Sequence, residues 1–464
     1  MNTKKPSRRD ILLATAASGL VATGALPAFA QDKKDIDLPQ GAAGKLTVIH
    51  RTEFFAEAQQ AFRSALEDFA TTNQVQLDAS TTDPNVFGDF LGKMTAAVRA
   101  GNPPDMAYHG ISVPQMHTLG LTEDVTDVVE EAISKYGYVM PGANAEKNGK
   151  FDGRWASIPF IARADGSFFR RDKLQEKGID PASLTTYDAR REAALAISDP
   201  ANNFWGWGIT PNKSGDGENF VMSVINDFGG HYTDPTGQIV TFNSPETVAA
   251  VKWIAETYDR NGKYAAMLPP GVEAWGDSNN NEAYVAGSVG FTRNAYSVYA
   301  KAKKDAPEIY NNTVVLHEAT ALNGDNRDLG YMGGWLTIFK GAPNKDLAKK
   351  LALYLLDPVH FNKIASVSGG LIMPAYNNLW TPELISADPN FTIIKEILDV
   401  KEPFVGTSWP ASPSAAIGAI GGQAVATTMV AYVLSGQMTP EEAVQDAHNK
   451  IVKIFESGGI KQPK

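Results

Sequence analysis

The chain has 464 residues, 43% hydrophobic and 20% charged, with a formal net charge of -10 and no cysteine. The missing cysteine excludes disulfides, thiolate chemistry, Cys-ligated zinc and a lipid-modified cysteine. The net acidity argues against nucleic acid or an anionic membrane as partner and leaves small molecules open.

The first element is a removable secretory signal. Lys4, Lys5, Arg8 and Arg9 supply a basic start, residues 11–26 an uncharged apolar run, and Ala28-Phe29-Ala30 a small-residue cleavage site. Residues 7–12 (SRRDIL) resemble the twin-arginine export motif. The run is shorter than the roughly 20 residues of a membrane span, so no membrane insertion is expected. Cleavage after Ala30 leaves 434 residues with a net charge of -13, a length that predicts two domains. With no cysteine to lipidate, the mature chain is expected free in the periplasm.

Residues 31–44 are polar. A β-rich run follows at 46–50, then a helical pattern over 57–71 with Phe62, Leu66 and Phe69 on one side. Residues 75–79 read as a strand, 87–100 as a helix ending at Gly101, and 104–109 as a third strand. Strands alternating with helices predict βαβ units and a parallel sheet, hence the α/β class. Residues 157–160 and 167–170 read as two strands flanking a turn. Beyond them come a helix at 246–258, strands at 288–292 and 335–339, a helix at 346–356, and a largely helical tail. Residues 414–434 are almost all small or apolar. Gln423, Thr427, Thr428 and three glycines favour a helix buried in a soluble protein over a membrane span.

The motifs of several chemistries are missing. There is no G-x-G-x-x-G, P-loop, G-x-S-x-G or H-E-x-x-H. Residues 277–281 begin like a calcium loop, but Glu282 and Ser288 stand at its sixth and twelfth positions. Asp325 and Asp328 read as turn residues. No cofactor, no metal and no catalytic residue is expected.

Four stretches, in order, resemble the maltose-binding-protein class of ABC-transporter extracellular solute-binding proteins (family 1). They are the strand–loop–helix over 46–69, the run AGNPPDMAY over 100–108, residues 158–160 through 168–174, and the tail from Trp409-Pro410 to SGQMTPEEA over 435–443. The resemblance spans nearly the whole mature chain. It implies a two-lobed α/β fold with a ligand cleft between lobes joined by three chain crossings, near 157–165, 310–330 and 374–385. Lobe 1 would hold 45–157 plus 325–375, and lobe 2 would hold 165–310 plus 380–464. It also implies a monomer that delivers a small-molecule ligand, foremost a carbohydrate or sugar derivative, to the permease subunits of an importer. A chemoreceptor partner would be compatible with this. An exported enzyme acting on a glycoside, and a binding protein for an opine or polyamine, stay open as alternatives.

A sugar ring has apolar faces for aromatics and a hydroxyl rim for planar polar side chains. In α/β sheets such ligands lie beyond the C-terminal ends of strands. That rule and the family's pattern select Glu53 and Phe54 in the loop that starts at Arg51, then Tyr108 and His109, and Arg163 and Asp165 in the first crossing. An arginine in the cleft would favour an acidic group on the ligand. Arg163 and Arg293 together oppose a polyamine. Glu218-Asn219-Phe220 resembles an acid-x-aromatic ligand triplet of the family. Trp275 lies in a glycine- and asparagine-rich loop, and Arg293, Asn294 and Tyr296 follow a strand. Gly333, Gly334 and Trp335 open the second segment of lobe 1, where glycines would permit close ligand approach. Trp409 is expected to stack on the ligand, because the family's usual tail tryptophan falls here at small residues near Gly418 and Ala419.

Overall fold

The computed structural model describes residues 44–82, 87–401 and 403–463. The signal sequence and its cleavage site lie outside the described residues. The strands are β1 (Lys45–Arg51), β2 (Gln76–Thr82), β3 (Met106–His109), β4 (Lys150–Phe151), β5 (Arg154–Trp155), β6 (Ile158–Arg170), β7 (Trp205–Trp207), β8 (Val289–Ala295), β9 (Thr313–Leu316), β10 (Gly330–Ile338) and β11 (Met373–Pro374). β4 and β5 form a small hairpin. The other nine make one sheet in the order β2-β1-β3-β10-β6-β8-β7, with β9 and β11 also on β6.

β1 pairs in parallel with β2 and β3, as expected of βαβ units. Its five central residues are all buried rather than alternating, because helices cover both faces. The helix Ala56–Thr72 packs Ala58, Phe62, Ala65, Leu66 and Phe69 inward at helical spacing. Helix starts follow ordinary capping chemistry. Ser214 and Ser244 accept the N–H groups of Gly217 and Thr247, and Thr439 with Glu442 forms a capping box that opens the last helix, Pro440–Ser457.

The region expected to be two strands around a turn is one strand. Residues 161–165 of β6 find partners at every step: Ile161 with Gly334, Ala162 with Met332, Arg163 with Tyr331, Ala164 with Gly330, and Asp165 with Ala295. Continuous pairing removes the need for a turn. β6 therefore joins β10 and β11 through its first half and β8 and β9 through its second.

Two large cores flank this junction. The first gathers Leu46, Phe62, Tyr108, Phe160, Leu336 and Leu355; the second gathers Phe169, Trp207, Phe220, Ile254, Met429 and Ile451. The two cores divide the last part of the chain between them. Leu384, Phe391, Ile394, Ile397 and Leu398 pack in the first core, and the chain reaches the second only from Ala411 onward. Tyr296, Val298, Tyr299 and Ala300, just after β8, also join the first core.

The apolar stretch 416–434 is long enough to cross a membrane, yet 39% of it is buried. It is two helices, Ala415–Gly422 and Val425–Leu434, broken at Ala424 with φ 49°. Ile417, Ile420, Val425, Ala426, Met429 and Val430 enter the second core. Asp277 spends its carboxylate on the N–H groups of Gly215 and Asp216, at 3.4 and 3.0 Å. Among the described residues, no cluster of three or more His, Cys, Asp or Glu has a geometry able to hold a metal ion.

Candidate functional site

The loop after β1 builds the first polar wall. Glu53 is buried, and its backbone N–H donates to Gln59 Oε1 at 3.1 Å, which fixes the loop against the following helix. Its carboxylate accepts a hydrogen bond from the buried Tyr108 hydroxyl. Arg51 Nε lies 3.4 Å and Arg163 Nη2 3.8 Å from it. Neither arginine contact has hydrogen-bond geometry, and Glu53 Oε2, Arg51 Nε and Arg163 Nη2 are buried without a hydrogen-bond partner within the chain. Both guanidinium groups are anchored elsewhere: Arg51 donates to the Gly333 carbonyl at 3.1 Å, and Arg163 to the Leu371 carbonyl at 2.8 Å. Burial, and then the Glu53 charge, hold the Tyr108 phenol well above its ordinary range, so it stays a donor.

The glycine pair serves this wall. A Cβ at Gly333 would lie 2.5 Å from Arg163 Cδ, and one at Gly334 would lie 2.5 Å from Tyr108 Cε2. The space expected for close ligand approach at Gly334 is filled by Tyr108.

A second wall begins two residues along β6. Asp165 is buried, and burial pushes its carboxyl up to about 6; the Arg293 charge opposes this and the Glu318 charge adds to it. Arg293 donates to Glu318 Oε2 at 2.9 Å and stands 3.9 Å from Asp165. Asn294 donates to Asp216 at 3.1 Å, and Asn280 donates to the same oxygen at 2.7 Å. Burial pushes Asp216 up to about 7, against the Asn280 bond and with help from the charges of Asp277 and Asp165. Tyr331, paired with Arg163 across the sheet, feels the charges of Asp165, Arg163 and Asp216 together, which puts it where the walls meet.

A third group gathers around Arg327. Arg327 sits 5.4 Å from the ring centres of both Phe404 and Trp409, and 3.7 Å from Asp227. Burial nevertheless pushes Asp227 up to about 8. Desolvation outweighs the guanidinium because that contact is not a hydrogen bond: Arg327 Nε and Asp227 Oδ1 are both buried without one.

Of the residues selected from the sequence, Glu53, Tyr108, Arg163, Asp165, Arg293 and Asn294 belong to these walls. Trp275 is half-buried against both cores, and Phe54 is 54% exposed beside Glu53. Trp409 is half-buried, with one face taken by Arg327.

Others have different work. His109 is buried with both ring nitrogens engaged, Nδ1 by the Ile111 N–H at 3.0 Å and Nε2 by Thr337 Oγ1 at 2.7 Å. No polar atom is left for a ligand, and burial drops its pKa to about 3. Glu218 accepts from Tyr232 at 3.0 Å and from the N–H groups of Ala426 and Thr427 at 3.3 and 3.1 Å, so it caps the helix after the break at Ala424. Phe220 is second-core packing against Tyr187, Trp207 and Tyr258, and Asn219 sits half-buried on the same helix. Trp335 fills the space over Gly149, and Tyr296 packs edge-on to Phe168 in the first core.

Sequence reasoning missed Asp216, Glu318, Tyr331, Asp227 and Arg327. Glu318 was within reach of the strand-end rule, but β9 is short and weakly patterned; Tyr331 lies at the start of β10, where that rule does not look. Asp227 and Arg327 gave no local signal, being brought together across 100 residues.

Residues 64–393 match the family described as Bacterial extracellular solute-binding protein. A mannitol-binding protein of Pseudomonas aeruginosa is 22% identical over 326 residues, covering 65% of this chain and 70% of that protein. An ABC transporter solute-binding protein of Thermotoga lettingae bound with α-D-tagatose superposes with a TM-score of 0.71 at 21% identity, over 89% of this chain and 99% of that one. Maltose-bound MalE3 of T. maritima superposes at 0.70 with 20% identity, over 88% and 98%. The family match covers more than half of the sequence and the α/β fold agrees with it, so the chain belongs to the bacterial extracellular solute-binding proteins.

Proposed function

We propose that this chain is the exported, substrate-binding component of an ABC importer and that it captures a carbohydrate or polyol between its lobes without turnover. The observation that carries the reading is the first wall. A ligand hydroxyl that donates to Glu53 Oε2 and accepts from Arg163 Nη2 would satisfy two buried atoms that lack partners. Carboxylate–guanidinium pairs suit such hydroxyls because a hydroxyl both donates and accepts. Trp275, against both cores, supplies an apolar face. The names of the relatives, which include mannitol, tagatose and maltose, support the same class. Lobe 1 is proposed to end within β6 at 164–165, with the other crossings at 317–329 and 399–410; closure then turns about these segments. Export to the periplasm and delivery to permease subunits complete the reading.

The test is calorimetry and tryptophan fluorescence of the mature protein with D-mannitol, D-tagatose and maltose. One-to-one binding to at least one of them, lost in Arg163→Ala, is the expected result. Release of a product from a bound glycoside would overturn it.

A further inference from the structure

His317 directly follows β9, at the start of the second crossing. Its backbone carbonyl accepts Arg190 Nη2 at 2.6 Å, and Arg190 is itself buried, with Ser167 and Leu184 as further partners. One side of His317 is thus fixed to the second lobe. Its ring points at two carboxylates from different parts of the chain. Nδ1 lies 2.8 Å from Asp328 Oδ2, at the far end of the same crossing, and Nε2 lies 3.3 Å from Glu396 Oε2. Glu396 is on the helix Phe391–Leu398, whose Phe391, Ile394, Ile397 and Leu398 are first-core residues.

We infer that His317 is a proton-operated clamp on the hinge, holding the ends of the second crossing to each other and to the helix that leads into the third. The reason is donor arithmetic. A neutral imidazole has one N–H and can serve one of the two carboxylates; the other then faces a lone pair. Only the imidazolium has an N–H for Asp328 and at the same time a second N–H and a positive charge facing Glu396, 3.3 Å away. The two arms differ in weight. Asp328 is buried and further held by the Glu318 N–H at 2.8 Å and Asn326 Nδ2 at 3.0 Å, so its arm is rigid. Glu396 is exposed, so its arm is screened by solvent and yields first.

The other charged groups nearby are occupied. Glu318 pairs with Arg293, Lys395 with Asp399 at 3.3 Å, and Arg327 lies toward Asp227 and Asp325. Asp328 and Glu396 are therefore the groups that set the behaviour of the ring. The Asp328 hydrogen bond, against desolvation, raises the His317 pKa, and Asp328 is lowered in turn by His317. A raised histidine gives stabilisation that is complete below its unfolded pKa of about 6.5 and lost as pH rises through the folded value. The clamp is closed in acid and released toward alkaline pH. Its influence on lobe movement rests on the lobe division proposed above; the clamp itself does not.

The experiment needs no ligand. NMR of the mature protein follows the His317 ring protons through pH, with His317→Gln identifying the resonance. The midpoint is expected above about 6.5, lowered modestly by Glu396→Gln and strongly by Asp328→Asn. Hydrogen exchange of the 391–398 amides, compared at each pH between wild type and His317→Gln, should show greater protection in wild type at about pH 5.5 and equality at about pH 9. Glu396→Gln alters only an exposed side chain and keeps the test valid if the buried variants fold poorly. A midpoint at or below about 6.5, or equal protection at both pH values, overturns the clamp.

Discussion

Glu53→Gln tests the first wall most directly, because it removes one charge and almost no volume. The Tyr108 hydroxyl keeps an acceptor, since a glutamine oxygen can replace the carboxylate oxygen it now uses. The loss falls on Arg51 and Arg163, which stand 3.4 and 3.8 Å away and would become two buried cations with no anion between them. Breaking a buried pair costs about 3–5 kcal/mol when the survivor has nothing else. Here each guanidinium keeps a carbonyl, Gly333 for Arg51 and Leu371 for Arg163, so the expected cost is smaller, about 1–3 kcal/mol. At about 2.1 cal/mol/K per residue, a chain of this length unfolding as one unit shifts by about 1 °C per kcal/mol, so the midpoint of thermal unfolding should fall by about 1–3 °C. The uncompensated arginines should also create an anion site, so sulfate should stabilise the variant more than it stabilises wild type at equal ionic strength. Thermal unfolding with and without sulfate reads both effects. If the variant melts no lower than wild type and sulfate does not distinguish them, Glu53 is not the counter-ion of this wall.

Asp227→Asn should show the pH behaviour of a buried acid. Its folded pKa of about 8 lies above the ordinary value, so the stability that this group contributes is complete below about pH 4 and is lost as pH rises to 8, by at most about 1.4 kcal/mol per pH unit. The variant should lack that decline and outlast wild type at about pH 9 in urea unfolding. Gly334→Ala should cost about 1–3 kcal/mol by overpacking, because its Cβ would sit 2.5 Å from Tyr108 Cε2; a melting temperature equal to wild type would contradict this. Glu218→Ala should destabilise the chain by about 1–2 kcal/mol through the lost cap, yet change the affinity for whichever test sugar binds wild type by less than about twofold in calorimetry. Trp275→Phe should remove most of the ligand-dependent fluorescence change, measured against Trp335→Phe.

The sequence was most readable where one element answers to one pattern. The helix Ala56–Thr72 and the parallel triplet β2-β1-β3 follow from apolar spacing and flanking turns, and Glu53 follows from lying just past a strand end. Reading failed where a residue's environment comes from distant chain. His109 looks like a ligand contact just past a strand until Thr337, 228 positions away, takes its second nitrogen. Glu218 looks like a ligand acid until the helix broken at Ala424 presents its free N–H groups. Both residues have the chemistry of a binding site, and a tertiary partner absorbs it. The strand β6 misled for a related reason. Arg163, Asp165 and Gly166 suggest a turn by composition, whereas pairing on both edges holds them extended.

That extended run is also what lets one strand serve as both hinge and sensor. Arg163 and Asp165 are two residues apart, so their side chains leave the same face of β6. Arg163 pairs with β10 and reaches Glu53 of the first wall, whereas Asp165 pairs with β8 and lies beside Arg293 of the second. The lobe boundary proposed above falls between them. On that proposed division, rotation about this point would change the separation of the walls while leaving the Glu53–Tyr108 and Arg293–Glu318 contacts intact, because each lies on one side of it. A ligand that bridges Arg163 and Asp165 would therefore act at the pivot itself. Its differential affinity for the closed form would come from groups farther from the pivot, such as Asn294 of the second wall, whose distance from the first wall would grow with opening.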